Sequence, residues 1–261
     1  MIGTISAQPS KSPQPQWTLL FYLNGDNNLR EEVTRDLVRL HEEGTSADVT
    51  AVASLYRGDW RWSMKNVGRK VYQLMKERDM PVQVESDWRG RRTFVVRNAD
   101  QAGSKTEMLE GKAPGEARVS DWRELRDCLI ENFQKFPAQH YALTVATHAV
   151  GDGILVDGDG EAMPYAEFGR ALTEAQQVTG KRLEVLTLES CQSGQASVVD
   201  QLKGVADYLI ASPQKISANK APYEKLLAEI KQRPTMTGAE LAQCTQETFA
   251  PHLPGFSLYK L

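Results

Sequence analysis

The 261-residue sequence predicts an α/β fold: a mainly parallel β-sheet flanked by helices on both faces, with a β-hairpin insertion. Two observations lead there. Apolar runs of strand length recur along the chain at Trp17–Leu23 (WTLLFYL), Val49–Leu55 (VTAVASL), Tyr141–Thr147 (YALTVAT), Leu183–Leu188 (LEVLTL) and Tyr208–Ala211 (YLIA). Strands buried on both faces read this way, without the polar alternation of a half-exposed sheet. Segments of helical spacing lie between most of them, which is the βαβ arrangement of a parallel sheet. Composition agrees. Hydrophobic residues make up 41% and charged residues 25%, which excludes a mainly disordered, collagen-like or membrane chain. The length suffices to bury a core without disulfides or metals.

Residues 1–16 (MIGTISAQPSKSPQPQ) are rich in Pro, Ser and Gln and read as a flexible leader. They lack the charged and apolar regions of a secretory signal. A single domain is expected over residues 17–261. The first strand ends in the turn cluster NGDNN (Asn24–Asn28). Leu29, Val33, Leu37 and Leu40 then keep helical spacing, with Gly44 as a stop and Val49–Leu55 as the next strand. An insertion of about residues 57–118 follows. Between Arg57 and Arg97 it holds eleven Lys/Arg against five Asp/Glu. WRGRRTFVVR reads as a hairpin turning at Gly90, and Asp100–Arg118 reads as a loop. The excess charge fits a solvated hairpin better than an anion-binding patch. Ser120 is the expected cap of a helix running to Phe133, with Asp121 and Glu124 in its first turn. The strand at Tyr141–Thr147 delivers His148. A short strand within Gly151–Asp159 and a helix from Tyr165 to Val178 precede Leu183–Leu188, which delivers Glu189, Ser190 and Cys191. A helix over Gln195–Leu202, the strand Tyr208–Ala211 and helices around Tyr223–Gln232 and Gly238–Phe249 complete the alternation. The closing GFSLYKL reads as a strand that stops abruptly, so a longer natural chain is expected.

Thirty-one Lys and Arg against 34 Asp and Glu give a net charge of −3, which argues against a nucleic-acid surface. No apolar run reaches the ~18 residues of a membrane span. Three cysteines, Cys128, Cys191 and Cys244, do not make a disulfide framework. They fit a reducing compartment, and a cytoplasmic location is expected.

Ligands in open α/β sheets bind beyond the carboxyl ends of the strands. That brings NGDNN, THAVGDG and ESCQSG to one edge. His148 and Cys191, at two of these strand ends, suit a thiol nucleophile and its proton-transfer partner. A helix beginning just after Cys191 favours the thiolate, and backbone N–H groups in such turns can hold an oxyanion. Taken singly, a lone Cys is more often core filler and a lone His more often structural. Cys128 and Cys244 lie in helical patterns and read as packing. No Cys or His pair has metal-ligand spacing, and the acidic run Asp157–Glu161 lacks an EF-hand pattern. No cofactor is expected, and Ca²⁺ has no motif to bind it.

These residues together resemble the clostripain-like cysteine peptidases, of the clan that includes caspases, gingipains, legumain and separase. WTLLFYLNGDNNL is similar to that family's opening strand and turn. DWRELRDCLIENFQKFPAQHYALTVATH is similar to the helix, linker and strand leading into the catalytic His. LEVLTLESCQSG is similar to the strand ending in the catalytic Cys, and YLIAS with APYEKLL to one wall of the substrate pocket. The resemblance implies a caspase-like fold and an endopeptidase. Cys191 attacks the scissile carbonyl, His148 protonates the leaving amine, and the N–H groups of Cys191 and Ala149 form the oxyanion hole. The implied pocket uses Glu189, Asn219, Ser212 and Asp26, with cleavage after Arg or Lys and a protein or peptide as substrate. Three positions depart from the family pattern: Ala149-Val150 replaces a glycine run, Glu189 replaces Asp, and Asn219 replaces a pocket Asp. They leave open a second reading, a catalytically weak or inactive caspase-fold scaffold that binds a regulatory protein partner. Some relatives cut themselves after a basic residue following the His. Ala149–Gly169 contains neither Lys nor Arg, so no such cut is expected there.

Overall fold

A computed structural model describes residues 14–58, 88–97, 106–113, 117–217 and 221–261. In chain order the elements are β1 (Trp17–Gly25), α1 (Arg30–Glu43), β2 (Val49–Arg57), β3 (Gly90–Val96), β4 (Thr106–Lys112), α2 (Trp122–Lys135) and β5 (His140–Ala146). Three two-residue strands follow, β6 (Ala149–Val150), β7 (Gly153–Ile154) and β8 (Met163–Pro164). Then come α3 (Tyr165–Thr179), β9 (Val185–Glu189), α4 (Ala196–Gln201), β10 (Tyr208–Ala211), α5 (Tyr223–Gln232), α6 (Gly238–Phe249) and β11 (Ser257–Lys260).

Eight strands form one sheet in the order β11-β10-β9-β5-β1-β2-β3-β4. The central five are parallel, from β10 through β2. The edge strands β11, β3 and β4 are antiparallel to their neighbours. Side chains alternate across the sheet. Trp17, Leu19, Phe21 and Leu23 of β1 join one core with Val33, Leu37 and Leu40 of α1, Leu227 of α5 and Phe249 of α6. Leu20 and Tyr22 face the other way, into a core with Leu125 and Leu129 of α2 and Phe168 and Leu172 of α3. The double burial explains why β1 reads as one apolar run. The predicted α/β class, a mainly parallel sheet with helices on both faces, is what the structure shows.

The insertion differs from its expected form. Gly90 does not turn a hairpin; it opens β3, with φ 87°, opposite Arg57 of β2. The partner of β3 is β4, inside the segment read as a loop. TEMLEGK has only two adjacent apolar residues, so it carries no strand pattern, yet an edge strand tolerates charge. The hairpin therefore extends the main sheet beyond β2. WRWSMK and most of the basic stretch lie outside the described residues. Ser120 is not the cap of α2. Asp121 is, its carboxylate accepting the Arg123 N–H at 2.9 Å, while Ser120 donates to Asp157 at 2.7 Å.

Candidate active site

Strands β9, β5 and β1 are consecutive in the sheet. The chain runs outward from β1 to β2 on one side and through β5, β9 and β10 on the other, so β1 and β5 flank the topological switch point. Their carboxyl ends open one cleft, into which Cys191, His148 and Glu189 all project, together with a face of α1. Asn24 ties the first two ends together: its Nδ2 donates to Thr147 Oγ1 at 2.9 Å and to the Val156 carbonyl at 2.8 Å. Thr147 N–H bonds the Glu189 carbonyl at 3.1 Å, continuing the β5–β9 pairing up to the site.

Cys191 sits on the turn from β9 to α4. Gln192, next in sequence, holds φ at 61°, a left-handed value strained for a side chain of its kind. Hydrogen bonds hold the turn in that shape. Gln192 N–H bonds the Gln214 carbonyl and Gly194 N–H the Ser212 carbonyl, each at 2.9 Å. A Cβ on Gly194 would lie 2.8 Å from backbone atoms of Ser212 and Pro213, so only glycine allows this approach. Behind the turn, Ser190 and Ser193 bond each other, and Ser193 bonds the Tyr165 hydroxyl at 2.7 Å, all buried. The Cys191 thiol is partly exposed and donates to the Ile216 carbonyl at 3.7 Å. Cys128 and Cys244 are buried, and burial pushes both thiols upward in pKa. Both are packing residues, as their helical patterns predict.

The His148 imidazole is half-buried, and burial lowers its pKa, with the Glu32 carboxylate opposing. Its Nε2 lies 2.7 Å from Asn28 Oδ1. With the Asn28 oxygen as acceptor the proton sits on Nε2, and Nδ1 is then the nitrogen able to take a proton. Asn28 escapes sequence reasoning because an Asn in NGDNN reads as a turn former. Within the described residues, imidazole and thiol face one cleft without bonding each other. Ala149 begins β6, paired with Ile154, and its φ is not positive. Alanine in place of a glycine therefore introduces no backbone strain there.

Glu189 is 6% exposed. Its Oε2 accepts the Tyr223 hydroxyl. Burial pushes its pKa up to about 7, against the pull of Tyr223 and Arg39. Asp36, also lining the cleft, is held well above the ordinary carboxylate range by burial and by Glu189, although Arg39 bonds it at 2.9 Å. Sequence reasoning missed Asp36 and Glu32 because charges on an amphipathic helix read as its solvent face.

Two expected pocket residues lie elsewhere. Ser212 is fully buried; its hydroxyl donates to the Pro254 carbonyl at 2.8 Å and accepts the Gln214 N–H at 3.1 Å. It anchors the wall rather than lining the cleft. Asp26 points to the acidic loop after β7, where burial, Asp157 and Asp159 push its pKa up to about 6. Asn219 lies outside the described residues. The Asp157 carboxylate is spent on Ser120, on Arg118 at 3.0 Å and on the N–H groups of Asp159 and Glu161. Among the described residues no group of three or more His, Cys, Asp or Glu is placed to hold a metal ion. No helix among them is long and apolar enough to cross a membrane.

A model of the clostripain family matches residues 21–251. No curated protein matches the chain. Among solved structures it resembles a secreted C11 cysteine protease from Bacteroides thetaiotaomicron in complex with an irreversible peptide inhibitor. The TM-score is 0.64 at 18% identity, covering 91% of this chain and 59% of that one. An inactive zymogen C11 protease from Parabacteroides distasonis gives 0.67 at 17% identity, covering 96% and 63%. The B. thetaiotaomicron secreted C11 cysteine protease called iotapain gives 0.63 at 14% identity, covering 91% and 63%. At these identities the likeness is one of fold. The chain spans about three-fifths of the length of these structures.

Proposed function

The chain belongs to the clostripain family, and from that premise we propose that it is a cysteine endopeptidase working through Cys191 and His148. The observation that carries the reading is their meeting in one cleft at the ends of adjacent strands β9 and β5, with Cys191 the one partly exposed cysteine of the three. Cys191 Sγ attacks the scissile carbonyl carbon, and the thiol proton passes to His148 Nδ1. The oxyanion is held by the N–H groups of Cys191 and Ala149. His148 then protonates the leaving amine, the C–N bond breaks, and a thioester remains on Cys191. Water, losing a proton to His148, hydrolyses the thioester and frees the thiol. A neutral imidazole at neutral pH, favoured by the burial of His148, is the form that accepts the first proton.

Glu189 supports cleavage after Arg or Lys. A buried carboxylate two residues before the nucleophile is stabilised by an incoming cation. The peptide inhibitor bound to the B. thetaiotaomicron relative supports a peptide as the substrate here. The test is thiol reactivity. Iodoacetamide should modify Cys191 far faster than the buried Cys128 or Cys244 near neutral pH, and His148→Ala should slow the Cys191 reaction by roughly ten-fold or more, which exposure alone would not do. Equal, slow labelling of all three would favour the inactive scaffold.

A further inference from the structure

Three carboxyl groups line the cleft: Glu32 and Asp36 from α1, and Glu189 from the end of β9. Glu32, Val33 and Asp36, with Leu29 at the cap, follow one another at helical spacing and turn one face of α1 into the cleft that Glu189 also lines. Behind them Glu224, in the first turn of α5, adds a further carboxylate that acts on Asp36. Asp36 has Arg39 at 2.9 Å, and Glu189 has the Tyr223 hydroxyl. Glu32 differs from both. Its Oε2 is buried and has no hydrogen-bond partner. Buried carboxylate oxygens are ordinarily paired, because leaving one unmade is costly. Glu32 itself lines the cleft, so a donor seated there is the group within its reach that could pair this oxygen.

We propose that Glu32 is a specificity-determining residue: it receives the cationic end of the substrate side chain preceding the cut, from the α1 side of the cleft that Glu189 also lines. The proposal rests on the peptidase reading above and deepens it. Two carboxyl groups lining one cleft match a guanidinium, whose planar fork presents five N–H donors in fixed directions. An ammonium is a compact point charge and engages both groups less well, so Arg is preferred over Lys. Glu32 also acts electrostatically on His148, so the test must separate recognition from an effect on the imidazole.

The experiment uses the full chain and two fluorogenic peptides that differ only in Arg or citrulline before the cut. Citrulline keeps the shape of arginine without its charge. Glu32→Gln should lower kcat/KM for the Arg peptide by roughly ten- to a hundred-fold, mainly through KM. It should leave the citrulline peptide within about twofold. Glu31→Gln removes the same charge from the same turn, on the side paired with Arg35, and should change neither. The pH profile of Cys191 alkylation by iodoacetamide, which does not use the pocket, should be unmoved by Glu32→Gln. Equal losses on both peptides with a shifted alkylation profile would overturn the proposal and assign Glu32 to His148. If Glu189→Gln collapses the Arg preference and Glu32→Gln leaves it intact, the basic pocket stands and this proposal alone falls. A wild-type chain that cleaves both peptides equally defeats the basic-residue reading and the proposal together.

Discussion

In the peptidase reading, one hydrogen bond at His148 bears on which of its nitrogens moves a proton. Asn28 Oδ1, 2.7 Å from Nε2, fixes the tautomer and the ring plane, and nothing about its place in NGDNN distinguishes it from the turn formers around it. Asn28→Ala is expected to lower kcat by roughly ten-fold or more with little change in KM, since a positioning group is lost and not a binding one. Steady-state kinetics across pH 5.5–9 check this, and an unchanged kcat would remove Asn28 from the site. Glu189 and Cys191 were legible because they follow directly on an apolar run that ends at a sheet edge. Asp26 and Ser212 were misplaced for a related reason. Both are polar residues at strand ends, but one side chain turns toward the loop after β7 and the other is consumed by backbone groups of its own neighbourhood.

Elements with two buried faces announce themselves, and elements at an edge do not. β1, β5 and β10 match their expected positions to within two residues, because an apolar run has few alternatives. β4 carries Glu107, Glu110 and Lys112 on an edge strand whose sheet neighbour is β3, and that composition says nothing about pairing. Besides the β2–β3 pairing, a buried polar cluster fastens this hairpin to the helix layer. Arg91 of β3 bonds Glu124 and Glu131 of α2, both at 2.7 Å, and Glu124 also takes the Tyr56 hydroxyl and the Lys112 ammonium, both at 2.8 Å. Arg91→Met strips one cation from a nearly inaccessible carboxylate, with Lys112 left in place. A loss of about 2–3 kcal/mol in urea unfolding is expected. A change below about 0.5 kcal/mol would mean that Lys112 and Tyr56 suffice. The turn after β9 is tested by Gly194→Ala. Its methyl group meets backbone, which cannot swing aside, so the turn must shift. Peptidase activity should fall by more than about ten-fold, while unfolding moves by about 1–3 kcal/mol.

For the whole molecule, the mainly parallel sheet was legible from the alternation of strands and helices; the order β10-β9-β5-β1-β2 and its switch point come from the structure, and the cleft follows from the switch point. The acid-rich character of that cleft was not legible, since it depends on which turn of α1 packs over which strand end. It has a consequence for stability. The folded-state pKa of Glu189, about 7, lies above its ordinary 4.5, so the folded protein holds this proton more tightly than the unfolded chain does. Between those values stability falls as pH rises, and above about 7 the full cost of a buried charge is present. Glu189→Gln, which keeps the bond to Tyr223, should therefore match the wild type near pH 5 and exceed it near pH 8 in urea midpoint. A variant less stable at both pH values would show that the carboxylate contributes in its ionised form. The most direct test of the peptidase reading is a fluorogenic peptide panel varying the residue before the cut, run on the wild type and Cys191→Ala. The account predicts turnover after Arg, more weakly after Lys, and none in Cys191→Ala; turnover that survives Cys191→Ala, or a wild type inert on every peptide, would contradict it.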